Sequence, residues 1–236
     1  MTKEIKFAGR KVKADVRMLY DMKEVVYDRE WLKDTENMPL YYMYRDLYKE
    51  NDRKRIVEKG LRYDITVIPP KMLGREYVKT KGHFHPMAKD MTYPEIYGVL
   101  EGRAHYLLQK GRGGDVERTA LVKAEKGDKV IIPPGYGHVT INPTQEKLKM
   151  ANWVSRDFES IYDPIVENRG AAWFELESDF IRNSNYKRVP ELEVFEASKN
   201  DPYEEDIYDL VQEPKKLEFL KSPGENKEMF EKLEFF

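Results

Sequence analysis

The sequence contains no cysteine, which removes disulfides, thiolate metal sites and cysteine nucleophiles and leaves nitrogen and oxygen to hold any metal. It also lacks a charge excess: 43 acidic and 41 basic side chains leave a net charge of -2 over 236 residues. The basic footprint of a nucleic-acid binder is therefore missing, although a local basic pocket for a small anion is compatible with that balance. No apolar run is long enough to span a bilayer, and Met1-Thr2-Lys3-Glu4-Ile5-Lys6 has no apolar signal region. A cytoplasmic protein without a membrane partner is expected. There is no internal repeat. Histidine is scarce, with only His83, His85, His105 and His138.

Three of those four imidazoles fall in two stretches, Lys81-Gly82-His83-Phe84-His85 and Pro133-Pro134-Gly135-Tyr136-Gly137-His138. Residues two apart on a strand share a face, so His83 and His85 can serve one ion from a single strand. Glu95 and Tyr97 stand on the next strand pattern, and a later strand brings His138. Three imidazoles and one carboxylate suit a first-row divalent ion, with iron first and nickel, manganese, cobalt or zinc as alternatives. Magnesium and calcium, which prefer oxygen, suit it less. Glu101 and Asp90 compete for the place of Glu95, and His105, without a motif around it, reads as a surface or packing residue.

Along the chain, residues 1–14 alternate loosely around Gly9 as a short hairpin or arm. Met18, Leu19, Met22, Val25, Val26 and Trp31 recur at near-helical spacing and predict one or two helical turns between Asp15 and Lys33. Leu40 to Tyr44 reads as an aromatic strand, and Asn51 to Lys59 as a charged connection. From Leu61 to Trp153 short strand patterns alternate with turn residues. The strands expected are 62–68, 77–84, 94–101, 104–109, 116–122, 129–132, 138–142 and 147–153. Lys110-Gly111-Arg112-Gly113-Gly114 resembles a phosphate loop but sits between two strand patterns, which makes it a hairpin turn. Tyr162 to Val166 and Ala171 to Phe174 read as strand or loop closing the barrel. From Ser178 the chain is polar and interrupted, with Phe219, Met229-Phe230 and Phe235-Phe236 as anchors and a solvated helix face from Glu225 to Glu234.

The expected fold is all-β, a small barrel able to hold one ligand. It carries a short N-terminal helical segment and an irregular or helical C-terminal extension. Residues 1–177 form the barrel domain with its arm, and residues 178–236 an extension packed on the barrel or on a partner subunit. Because arm and tail both need surfaces to cover, a homodimer is expected.

These residues resemble a known family. Gly127, Pro133, Gly135, His138 and Asn142 fall at the spacing of the second motif of the cupin superfamily, and His83, His85, Glu95 and Gly102 resemble the first. Tyr77 stands where the first motif has a glycine, and the gap from His85 to Glu95 is longer than the motif's. Thr66-Val67, Gly74-Arg75-Glu76, Thr80 to His85, Glu95-Ile96-Tyr97 and Val130 to Pro134 are similar to the cupin-type glucose-6-phosphate isomerases of archaea, from about Tyr41 to Leu176.

The resemblance implies a cupin, jelly-roll-like barrel and a metal held by His83, His85, Glu95 and His138. It implies that Thr66, Thr80 and Gly82, helped by Tyr41 or Tyr42, hold a substrate phosphate. It further implies that Tyr97 lines the sugar site, and that Trp153 and Tyr162 border it. Trp153 stands where the family has a tyrosine, and a family histidine is missing around Ser160-Ile161-Tyr162.

The activity so implied is aldose-ketose isomerisation of glucose 6-phosphate and fructose 6-phosphate, with Glu95 and Tyr97 as catalytic residues. A metal stabilises the charge that develops on two neighbouring oxygens, and a carboxylate beside it can shuttle the proton. The sequence leaves a hydride shift open as well. Two other readings stand beside this one: an isomerase or epimerase for another sugar, and a sugar- or metal-binding module without turnover.

Overall fold

The computed structural model describes residues 3–111, 113–157, 159–197 and 203–231. Its strands are β1 (Glu4–Phe7), β2 (Arg10–Lys13), β3 (Asp15–Met18), β4 (Pro39–Tyr44), β5 (Leu61–Ile68), β6 (Glu95–Glu101), β7 (Arg103–Lys110), β8 (Arg118–Glu125), β9 (Lys129–Ile132), β10 (Tyr136–Ile141), β11 (Leu148–Ser155) and β12 (Leu192–Glu196), with several two- and three-residue strands between them. A six-stranded sheet runs β9-β6-β11-β5-β4-β3, and a four-stranded sheet runs β10-β7-β8-β12. Pairing is antiparallel throughout both sheets except for β8 with β12. The fold is all-β as expected, with the jelly-roll-like barrel built as two facing sheets.

The six-stranded sheet is buried on both faces, and its side chains sort by the period-two alternation of a strand. On β5, Leu61, Tyr63, Ile65 and Val67 belong to one apolar cluster, while Ile68 belongs to the other. On β11, Met150 faces the space between the sheets, and Ala151 and Trp153 face away from it. The inner cluster contains residues of both sheets, among them Val99, Tyr106, Val122, Val139 and Met150.

The outer face of the six-stranded sheet is covered by the chain's own ends. Ile5, Phe7, Val12 and Ala14 of the arm pack against that cluster, and Ile207, Tyr208, Leu217, Phe219 and Leu220 of the tail lie within it. Trp153 Nε1 donates to the Ile207 carbonyl at 2.6 Å. Gly98 is required beneath this contact, since a Cβ there would stand 2.8 Å from Ile207 Cβ. The tail is therefore docked on its own chain through 3-10 turns at Asp209–Gln212, Pro214–Leu220 and Pro223–Asn226. Phe235-Phe236 lies outside the described residues.

Several segments differ from expectation. Residues 15–33 begin as strand β3, because Val16 pairs with Tyr42 at the sheet edge. Only Leu19–Met22 and the helix α1 (Arg29–Lys33) are helical. The charged connection contains helix α2 (Arg53–Glu58), which buries Ile56. The 77–84 strand is broken into bridges at Lys79, His83 and Phe84, since positive-φ Gly82 interrupts it. Asp163–Glu167 is a helix, α3, with proline in its first turn, where proline has no amide to lose. A hairpin joining Trp173–Glu175 to Phe180–Arg182 spans the boundary expected at residue 177. Among the described residues no helix is long and apolar enough to cross a membrane.

Candidate metal centre and its pocket

His83 and His138 face each other across a bridge whose two backbone hydrogen bonds, His83 N to His138 O at 3.1 Å and His138 N to His83 O at 3.0 Å, tie the two stretches together. His85 lies two residues on, and Glu95 opens β6 next to β9, whose last residue Ile132 stands opposite it. His83, His85, Glu95 and His138 each offer one ligand atom, all within 4.8 Å of one another. The longer gap between His85 and Glu95 folds into a small hairpin, Met87–Ala88 with Met91–Thr92, so Glu95 reaches the site. Of its competitors, Glu101 pairs with Lys147 at 2.9 Å at the far end of β6, and Asp90 is exposed on the hairpin.

Neighbouring groups set each ligand. His85 Nδ1 is 2.7 Å from the Tyr93 carbonyl, so it carries the proton and Nε2 keeps its lone pair toward the cluster. The Nε2 atoms of His83 and His85 lie 3.2 Å apart. Asn152 Nδ2 donates to Glu95 Oε1 at 2.6 Å, while Glu95 Oε2 is buried without a hydrogen-bond partner, 3.2 Å from His85 Nε2 and 3.5 Å from His138 Nε2. Burial first, and the other imidazoles second, hold His83 and His138 well below the ordinary histidine value. Neutral imidazoles crowded around an unsatisfied carboxylate oxygen are a poor arrangement alone and a fitting one around a divalent cation. Tyr97 Oη sits 3.1 Å from His138 Nε2, and burial followed by the Glu95 charge drives its pKa well above 10. It stays a neutral phenol.

A pocket opens beside this cluster and is lined by Tyr41, Thr66, Thr80, Gly82, His83, Glu95, Tyr97 and Tyr162. Gly82 adopts φ +79°, and a Cβ there would come 2.6 Å from Val139 Cγ2. Of its neighbours' amides, that of Thr80 donates to Thr140 O and that of Lys81 to the Tyr41 hydroxyl at 3.3 Å; the Gly82 amide has no partner among the described residues. Arg17 hydrogen-bonds the Tyr41 phenol, whose pKa burial raises against that nearby charge.

Trp153 is a correction. Strand alternation sends Met150, Asn152 and Val154 into the pocket and Trp153 to the opposite face, where it packs tilted against Tyr63 at 4.8 Å between ring centroids under the tail. Sequence reasoning also missed pocket residues Arg45, Arg62, Asp64 and Asn152. The expected strand 62–68 held the signal for two of them, since Arg62 and Asp64 share a face with Thr66. His105 is remote from the cluster and half-buried, with Nδ1 2.7 and 2.9 Å from the two oxygens of Glu175; of the two expectations, surface or packing, it takes the packing role, as a hydrogen-bond partner of Glu175.

Residues 16–191 match the family model described as Glucose-6-phosphate isomerase (GPI). Glucose-6-phosphate isomerase from Thermococcus litoralis is 33% identical over 132 residues, covering 55% of this chain and 63% of the relative. The enzyme from Pyrococcus abyssi is 32% identical over 167 residues, covering 70% of this chain and 81% of the relative. The chain thus spans less than two thirds of the Thermococcus litoralis relative's length. Among solved structures, a cupin-like protein from Thermotoga maritima superposes with a TM-score of 0.33 at 20% identity, over 52% of this chain and 71% of the other.

Proposed function

The chain belongs to the glucose-6-phosphate isomerase family, and on that premise we propose that it interconverts glucose 6-phosphate and fructose 6-phosphate in the cytoplasm. The observation that carries the reading is the buried, partnerless Oε2 of Glu95 among three imidazoles, at the wall of a pocket lined by Thr66, Thr80 and Gly82.

His83, His85, Glu95 and His138 hold a divalent transition metal, iron first among iron, nickel, manganese, cobalt and zinc. When bound, it supplies Lewis-acid stabilisation of the negative charge that grows on two adjacent sugar oxygens. The free Gly82 amide, the Thr66 and Thr80 hydroxyls, and Tyr41 and Tyr162 at the pocket wall receive the phosphate and use that remote binding to position the reacting carbons. Glu95 moves the proton between neighbouring carbons. The Asn152 hydrogen bond at Oε1 fixes the plane of its carboxylate. Tyr97, neutral at working pH, donates a hydrogen bond to oxygen as charge develops there.

The arm and tail, the two segments that suggested a homodimer, pack on the outer face of their own sheet; the homodimer stays part of the proposal, checked by the sedimentation mass of the protein.

The test is conversion of fructose 6-phosphate to glucose 6-phosphate by metal-reconstituted protein, run beside a panel of other phosphosugars. No conversion of fructose 6-phosphate with any of the five metals removes the reading. Turnover of another sugar alone replaces it with the rival isomerase or epimerase. Deuterium from solvent appearing at the product carbon supports the Glu95 proton route; its absence supports a hydride shift.

A further inference from the structure

The pocket has a second charged end that the phosphate cradle does not use. Strand register sets it out in rows: Arg62 stands opposite Val154, which stands opposite Glu95, and Asp64 stands opposite Asn152, which stands opposite Tyr97. Two strand spacings separate Arg62 from Glu95, about 10 Å between backbones. Thr66 is four residues further along the same strand and face, about 13 Å away. Arg45 enters just past the end of β4. Both arginines line the pocket.

Asp64 mounts them. Its side chain is 4% exposed. It accepts from Arg62 Nε at 2.9 and 3.1 Å, from Arg45 Nη1 at 3.3 Å and from the Asp46 amide at 2.9 Å. Arg62 commits only Nε to this bond. Neither of its terminal nitrogens has a partner among the described residues, and the side chain is 24% exposed. A guanidinium anchored through Nε at the pocket wall, with both terminal nitrogens of its planar fork uncommitted, is pre-set for two parallel hydrogen bonds to a carboxylate or phosphate. Arg45 also holds Asp15, through Nε at 3.2 Å, so the two arginines are balanced by two carboxylates and the draw on an anion comes from the unpaired fork of Arg62 rather than from excess charge.

We propose that Arg62 and Arg45, mounted on Asp64, form a second anion subsite at the other end of the pocket from Thr66, Thr80 and Gly82. The pocket then takes sugars with two anionic groups, bisphosphates above all, more tightly than monophosphates. The inference rests on reading the pocket as a sugar-phosphate site and extends it: one end receives the substrate's phosphate, and the other selects for a second anion on competing ligands.

Calorimetric titration of the metal-loaded protein with fructose 6-phosphate and with fructose 1,6-bisphosphate tests it. The bisphosphate is expected to bind roughly 10- to 100-fold more tightly, the scale of a charged hydrogen-bonded contact. In Arg62→Gln the two affinities converge. Arg62→Lys keeps part of the difference, because lysine retains the charge but not the anchored fork. Arg103→Gln, on the other sheet, keeps all of it. Equal affinities in the wild-type protein overturn the proposal, and so does an undiminished ratio in a folded Arg62→Gln protein. If that variant does not fold, Arg45→Gln is read the same way. Binding is measured without turnover, so the two readings fail separately. A protein that prefers the bisphosphate but isomerises nothing loses the isomerase reading alone, and an active isomerase with equal affinities loses only the subsite.

Discussion

Asn152 donates its side-chain N–H to Oε1 of Glu95 at 2.6 Å, and this bond turns the other carboxylate oxygen toward the three imidazoles. Partners of this kind, one bond removed from a metal, commonly govern affinity by 10- to 100-fold. Asn152→Ala should therefore weaken metal binding by roughly that factor, measured by competition with a chelator. Asn152→Asp should weaken it at least as much, since it sets a second carboxylate against Glu95. Unchanged affinity in both variants would show that Glu95 is held by its strand alone.

His138→Ala should strip the metal while leaving the sandwich folded. His105→Ala should leave metal content intact yet destabilise the protein by about 1–3 kcal/mol, because the buried Glu175 carboxylate loses its hydrogen-bond partner. Elemental analysis and melting curves of the two variants separate the roles. Metal retained in His138→Ala would remove that residue from the ligand set.

The pH dependence of the metal-free protein follows from the two depressed histidines. The unfolded chain protonates His83 and His138 near pH 6.5, whereas the folded chain does so only further into acid. Below about pH 6.5 the unfolded state therefore holds more protons, and stability falls as pH drops through that window toward the folded values. Melting temperatures of stripped protein should decline there, and the double substitution His83→Asn with His138→Asn should flatten the decline. Metal affinity should fall in the same direction, since the ligands must be deprotonated.

The tail packs on the outer face of the six-stranded sheet. Phe219 is 2% exposed within the outer cluster, and Phe219→Ala should cost about 3–5 kcal/mol. A melting temperature unmoved by that change would mean the tail is not docked in solution.

Gly82→Ala should combine backbone strain with a clash, since it needs both a left-handed φ and room that Val139 occupies. Loss of sugar-phosphate binding beyond the loss of stability, read by titration at a temperature where the variant is folded, would place the effect at the pocket.

Much of this was legible in the sequence where period and punctuation agree. Residues 129–132 form the strand expected, and most other strands shift by one or two residues at their ends. His83, His85, Glu95 and His138 meet because the His83–His138 bridge is short-range in space while their identities are visible in the chain. The misreadings arise where a residue's face is fixed by its partner strand. Trp153 reads as a pocket aromatic until the register of β11 against β6 and β5 assigns the inward positions to Asn152 and Val154. Residues 15–18 have apolar spacing that fits a helix, but pairing with Tyr41, Tyr42 and Met43 makes them an edge strand. Composition read the tail as polar and interrupted; its scattered Ile207, Leu217 and Leu220 find a common surface only in three dimensions.

β12 joins the four-stranded sheet in parallel, beside β8, as its outermost strand. In five residues it carries Glu193 and Glu196, paired with Arg118 at 2.6 Å and Lys123 at 3.9 Å on the neighbouring strand. A second chain adding to that edge would have to approach carboxylates that already have partners, and another copy would bring its own against them. The last strand thus guards the sheet against edge-to-edge growth, the route by which exposed strands seed aggregation.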